Sequence, residues 1–146
     1  MSVTIAQTDE QIRATFAVMK QLRPHLAEDD YVQTIRSLQE QGYRLAVIFE
    51  QGVAKAAAGY RLGANLAWGR FLYVDDLITD ENSRASGYAG ELMNWLDEEA
   101  LRAGCQSLHL DSGVQRHDAH RFYLKRRMRI AAHHFDRVYE GTKRVR

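Results

Sequence analysis

The sequence predicts an α/β fold, with a mixed, mostly antiparallel central sheet and helices on both faces. Three observations predict it. Three consecutive strand-like runs fill the chain between Tyr43 and Thr79. They are separated by Glu50-Gln51-Gly52 and Gly63-Ala64-Asn65, residues that favour chain reversal. The last run then enters a polar loop and a long amphipathic helix, the stretch Phe71–Gly104, so a strand feeds a helix that must pack back on the sheet.

Taken in order, the chain reads β-α-α-β-β-β-α-β-α-β. Val3 to Gln7 is a short edge strand. Thr8-Asp9-Glu10 opens a helix with a capping side chain and early acids, and Ile12, Phe16, Met19 and Leu22 or Arg23 continue it at helical spacing. Pro24, the only proline, stands where that helix should stop. A second helix covers about Asp30 to Gln41, with Tyr31, Ile35 and Leu38 inward, and Gly42 closes it. The strands are Tyr43–Phe49, Val53–Leu62 and Trp68–Thr79, the third long enough to require a bend or bulge. The helix opening near Gly87 carries an apolar stripe of Tyr88, Leu92, Trp95, Leu96, Ala100 and Ala103, one face of a 3.6-residue period. Gly104 follows as a left-handed cap. A strand at Ser107–Asp111, a helix at Asp118–Arg126 and an extended segment at Ile130–Val138 complete the chain.

Composition bounds the function. The 146 residues are expected to form one domain, 1–146, ending in a basic tail at 141–146. The chain is 45% hydrophobic and 27% charged, the balance of an ordinary globular protein. A net charge of +1 gives no steering toward nucleic acid or a membrane surface. The single cysteine, Cys105, leaves no internal disulfide and no cysteine cluster for metal. The start, MSVTIAQTDEQ, lacks the basic and apolar regions of a secretory signal. No apolar run is long enough to cross a bilayer, and a cytoplasmic protein is the default expectation.

The chemistry points to the junction before the long helix. Arg84-Ala85-Ser86-Gly87-Tyr88-Ala89-Gly90 places small residues where a ligand can approach the backbone. The first turn of a helix has unpartnered N–H groups and a dipole that favours anions, and phosphate is a natural guest there. Arg84 adds a permanent charge with several donors. Many such turns carry glycine for packing alone. Here the segment Arg84-x-x-Gly87-x-Ala89 resembles motif A of the GNAT superfamily of N-acetyltransferases, which holds the pyrophosphate of acetyl-CoA. The order of elements resembles the GNAT fold over roughly residues 3 to 138. The resemblance implies that residues 84 to 90 bind the cosubstrate. It also implies that the backbone of Leu77, Ile78 and Thr79 pairs with the pantetheine arm as an added strand.

Two acids interrupt the strand before that loop. Asp75-Asp76 lies between Val74 and Leu77, although Asp is depleted in strands. Alternation should send one side chain toward the long helix and the other to the opposite face. A structural, hydrogen-bonded role competes with a functional one. An alkylamine with pKa near 10.4 is neutral at pH 7 about once in 2,500 molecules, so deprotonation costs about 4.6 kcal/mol and a base or water relay has something to supply. Tyr73-Val-Asp75-Asp76-Leu77 also resembles the strand of diamine acetyltransferases. That resemblance makes Asp75 the first candidate base and Asp76 the substrate-binding partner, with the reverse order open.

On the late helix, Phe122-Tyr123 reads first as core packing. Ala119-x-x-Phe122-Tyr123 resembles the GNAT segment whose tyrosine protonates the departing CoA thiolate. A free thiol titrates near 8.5 and a phenol near 10, so the transfer is chemically sensible. Three positions depart from the family pattern. Glu81 replaces a frequent proline, Arg116 stands where an asparagine often contacts the cofactor, and Arg127-Met128 replaces Gly-Phe. His117, His120, His133 and His134 share no ligand spacing with Cys105, so no metal is expected. Tyr43, Tyr60 and Trp68 read as core rather than pocket.

The leading expectation is an acetyl-CoA-dependent N-acetyltransferase acting by direct attack in a ternary complex on a small cationic amine. A non-catalytic CoA-binding module and a protein N-terminal or lysine acetyltransferase are the alternatives. No nucleic acid or membrane partner is implied, and a homodimer through the last strand is conceivable.

Overall fold

The computed structural model describes residues 2–141. Met1 and residues 142–146, most of the expected basic tail, lie outside them. The described residues divide into two compact units, one running to His109 and the other beginning at Leu110.

The first unit is built on a sheet in the order β1-β2-β3-β4-β5. The strands are β1 (Val3–Ile5), β2 (Arg44–Glu50), β3 (Val53–Asn65), β4 (Gly69–Thr79) and β5 (Ser107–Leu110). β1 to β4 pair antiparallel. Gln51 and Gly52 take positive φ, 53° and 79°, the hand that a tight hairpin needs. One face of the sheet carries Leu45, Val47, Ala57 and Ile78, which cluster with Ile12, Val18, Met19, Tyr31 and Ile35 of the N-terminal helices. Alternate residues Ala46, Ile48, Ala58, Tyr60, Leu72 and Val74 are buried on the other face, where the helix α4 (Tyr88–Arg102) packs. Its buried set includes Met93 beside Tyr88, Leu92, Leu96 and Ala100, so the stripe is wider than the sequence suggested.

The single N-terminal helix read from the sequence is two helices, α1 (Asp9–Ala14) and α2 (Phe16–Leu22). The break is Thr15. Its N–H reaches only to the Ile12 carbonyl at 3.0 Å, and its hydroxyl donates to the same carbonyl at 2.7 Å, a side-chain competitor for the helical bond. The hydroxyl also meets the Tyr31 hydroxyl at 2.7 Å. Tyr31 belongs to α3 (Glu28–Glu40), so the kink is pinned to its neighbour. Burial pushes the Tyr31 phenol up to about 12.

Three helices end in the same hydrogen-bonded reversal. After α3, Gly42 N–H reaches Gln39 O and Tyr43 N–H reaches Leu38 O. After α4, Gly104 and Cys105 bond Leu101 and Ala100 in the same way. After α5 (His117–Lys125), in the second unit, Arg127 and Met128 bond Leu124 and Tyr123. This reversal needs a left-handed residue, for which glycine carries no steric penalty. Gly42 and Gly104 supply it at φ 97° and 76°, but Arg127 is held at 65°. The turn after α5 thus keeps its geometry although Arg127 stands where the resemblance implies glycine.

The second unit holds α5 and the segment after it. The strand expected at Ile130–Val138 is not formed. Ile130 and Val138 fall on one parity and Phe135 on the other, so neither face of a strand there would be continuously apolar. Ile130 and Phe135 are 77% and 90% exposed. A dimer through that strand has no such element among the described residues.

Two substitutions check these packing arguments. A Cβ on Gly59 would lie 1.8 Å from the Tyr43 Oη, so Gly59→Ala should destabilise the protein by roughly 2–3 kcal/mol in a urea titration. Arg127→Gly should stabilise it by roughly 0.5–1 kcal/mol, the steric relief less the added freedom of the unfolded chain.

Candidate active site

The site is organised by a bulge where β3 and β4 pair. Gly59 faces Asp76 and Tyr60 faces Val74, so Asp75 is the extra residue. A bulge of this kind re-aims the side chains around it. The expectation that Asp75 and Asp76 point to opposite faces is therefore corrected: both line one cavity of about 350 Å³, with Leu38, Gln41, Tyr43 and Arg61.

Each acid is held by an arginine. The Arg61 Nε and Nη2 donate to the two Asp75 oxygens at 2.7 and 2.9 Å. Arg23, the residue closing α2, donates from Nε to Asp76 Oδ1 at 3.0 Å and from Nη2 to the Asp75 carbonyl at 3.0 Å. The Tyr43 hydroxyl donates to Asp76 Oδ2 at 2.8 Å. Burial, and then the neighbouring Asp76 charge, push the Tyr43 phenol well above its usual range, so it remains a donor. Asp75 keeps 26% of its side-chain surface exposed and Asp76 keeps 16%. Asp75 is the freer of the two.

Arg23 and Arg61 are not legible as site residues from the chain alone. The signal for Arg61 is a charge inside the apolar run VAKAAAGYRLG. Tyr43 is buried, as the core reading expects, and still presents its hydroxyl to the cavity. Tyr60 is buried with its hydroxyl on Glu99. Trp68 is partly exposed and stacks on His109 at 3.5 Å.

The second feature lies at the end of β4. Its partner β5 starts where Gln106 N–H bonds the Arg70 carbonyl, and β5 is four residues long. It cannot extend as far as Leu77, Ile78 and Thr79. On their other side these three pair with Ala58, Ala57 and Ala56. A short 3₁₀ turn, Glu81–Ser83, then leads to Arg84. Ala85 and Gly87 both take positive φ, 73° and 84°, and Gly87 is the N-cap of α4 without a side-chain cap. The first helical bond there is Glu91 N–H to Gly87 O, which leaves the amides of Tyr88, Ala89 and Gly90 pointing out of the helix end. Nothing lies within 4 Å of a Cβ built on Gly87. Alternating left-handed residues at a helix start form a concave set of N–H groups suited to an anion. Arg84, Ala85, Ser86 and Gly87 are exposed, whereas the Tyr88 side chain is buried, so Tyr88 can offer only its amide.

Tyr123 belongs to the second unit. It sits on α5 against Phe122, ring centroids 5.6 Å apart. Burial raises its phenol above the usual value, opposed by Arg116, and it stays protonated at neutral pH. Among the described residues no group of three His, Cys, Asp or Glu side chains is arranged to hold a metal. No helix among them is long and apolar enough to cross a membrane.

Comparison with known proteins bears on the fold and the family. The model of the acetyltransferase (GNAT) family matches residues 9–127, a span that includes both the loop before α4 and Tyr123. An uncharacterized N-acetyltransferase of Bacillus subtilis (strain 168), YhdJ, is 31% identical over 115 residues, 78% of this chain and 81% of that protein. An aminoalkylphosphonate N-acetyltransferase of Salmonella typhimurium is 35% identical over 52 residues, 36% of this chain and 34% of that protein. The crystal structure of a Trypanosoma brucei acetyltransferase superposes with a TM-score of 0.78 at 18% identity, covering 94% of this chain and 99% of that one, which shows the shared fold. A family match over most of the chain and a relative of this similarity lead to one conclusion: the chain belongs to the GNAT acetyltransferase family and is an acyl-transferring enzyme.

Proposed function

We propose that this enzyme moves the acetyl group of acetyl-CoA to a primary amine on a small molecule, by direct attack within a ternary complex. The observation that carries the reading is the open set of amides at the start of α4 beside Arg84. Those amides and the guanidinium receive the pyrophosphate, with Arg84, Ala85, Ser86, Gly87, Tyr88, Ala89 and Gly90 contributing. The backbone of Leu77, Ile78 and Thr79 completes a strand with the pantetheine amides, and its N–H groups polarise the thioester carbonyl. Residues 1–146 act as one acetyltransferase domain in this reading, and the cytoplasm is its compartment.

The acid pair holds the amine and takes up its proton, directly or through water. Asp75, with one arginine and the larger exposure, is the first candidate base. Asp76, held by Arg23 and Tyr43, is the positioning partner. Once the amine attacks, the C–S bond breaks and the sulfur leaves with the electron pair. Tyr123 then supplies its proton to the CoA thiolate. Much of the rate comes from holding the two reactants together. The similarity to an aminoalkylphosphonate N-acetyltransferase supports a small acceptor over a protein N-terminus or lysine.

The test is release of CoA thiol from acetyl-CoA across a panel of small amines and basic peptides, with calorimetric acetyl-CoA binding alongside. Tight binding without release from any acceptor would favour a non-catalytic CoA-binding module. Tyr123→Phe should lower kcat about 100-fold or more with acetyl-CoA affinity nearly unchanged; unchanged turnover would remove Tyr123 from the mechanism. Arg84→Ala should weaken acetyl-CoA binding by about tenfold with a smaller effect on kcat.

A further inference from the structure

Each acid of the pair beside the cavity is matched by an arginine, and this bears on what enters. Asp75 and Asp76 bring two negative charges. Arg61 and Arg23 meet them at 2.7 and 2.9 Å. A diamine entering this wall gains no net attraction. Its second ammonium would also have to compete with a guanidinium that grips Asp75 at two points, the stronger form of charge-assisted bond.

Arg61 has donors to spare. A guanidinium carries five N–H groups, and Asp75 occupies those on Nε and Nη2. The side chain is 46% exposed and lines the cavity, so its remaining donors are accessible to a ligand there. Its plane is fixed by Asp75 on one side and by the Tyr73 ring, 5.5 Å away, on the other. A fixed fork of this kind reads carboxylate or phosphonate oxygens.

We infer that the acceptor is a zwitterion: a primary amine joined by a short spacer to an anionic group, with the ammonium on the acid pair and the anion on the outer edge of Arg61. The inference rests on the acetyl-transfer reading above and narrows its acceptor. The spacer is short because Arg61 and Asp75 are in direct contact, so the two recognition points are adjacent. Arg61 is then a specificity residue, which touches the end of the substrate that does not react.

The experiment compares 2-aminoethylphosphonate with putrescine in the CoA-release assay, using wild-type enzyme, Arg61→Gln and Arg61→Lys. Wild type should favour the phosphonate by about tenfold or more in kcat/KM. Arg61→Gln leaves Asp75 without its counter-charge and makes the cavity negative, so it should reverse the preference toward putrescine. Arg61→Lys keeps the charge but loses the fork, and should fall between. Acetyl-CoA binding by calorimetry, unchanged in both variants, shows that they are folded. Three outcomes overturn the inference while leaving acetyl transfer standing. They are a wild-type preference for putrescine, an equal loss of both activities in Arg61→Gln, and turnover of other amines with none of the phosphonate. Absence of CoA release with every amine overturns the inference together with the acetyl-transfer reading.

Discussion

The pairing of β3 with β4 around one extra residue is the constraint on which the site depends. Without the bulge at Asp75, strand alternation would bury one acid against α4 and leave its neighbour alone on the other face. With it, both carboxylates share a cavity, and two arginines from different parts of the chain converge on them. The same pairing sets Gly59 against Asp76, and only a residue without a side chain at 59 leaves room for the Tyr43 ring. Tyr43 reaches Asp76 because of that space. A backbone irregularity, a glycine and a buried phenol thus form one unit.

Each acid already accepts two side-chain hydrogen bonds. Their partners hold them in place, which is what a positioning role needs, since reacting groups lose rate steeply when misplaced. Asp76 is held by two side chains, Arg23 and Tyr43, and Asp75 by one, Arg61. This asymmetry gives two adjacent carboxylates different freedom, and it comes from where α2 ends and where β3 carries Arg61.

Much of this was legible in the sequence, and the reasons for the exceptions are physical. Strand and helix periodicity located the meander and α4, because those signals are local. The Arg84–Gly90 junction drew notice as small residues before an apolar stripe, a pattern that packing alone also produces, and the fold sets it at the start of α4. A bend or bulge in the long third strand was foreseen, but its position was not. Register is decided by pairing with β3, and a one-residue slip reverses the facing of every side chain. Arg23 and Arg61 were missed for the same reason: nothing local tells a solvated arginine from one aimed at a carboxylate on another strand. Thr15 broke a helix that its spacing supports, through a bond to Tyr31 sixteen residues away. At 130–138, β-branched and aromatic residues without a common face were read as a strand.

The far half of β4 has a consequence outside catalysis. Beyond the reach of β5, the outer edge at Leu77–Thr79 has no partner strand among the described residues, and such an edge is a template for association with other chains. A ligand that pairs with this edge also shields it. In the proposed reading acetyl-CoA is that ligand, and the edge is open only in the free enzyme. A ligand at about 100 times its dissociation constant adds about 2.7 kcal/mol to the folded state by mass action. In the proposed reading the cosubstrate therefore supports the fold as well as taking part in turnover.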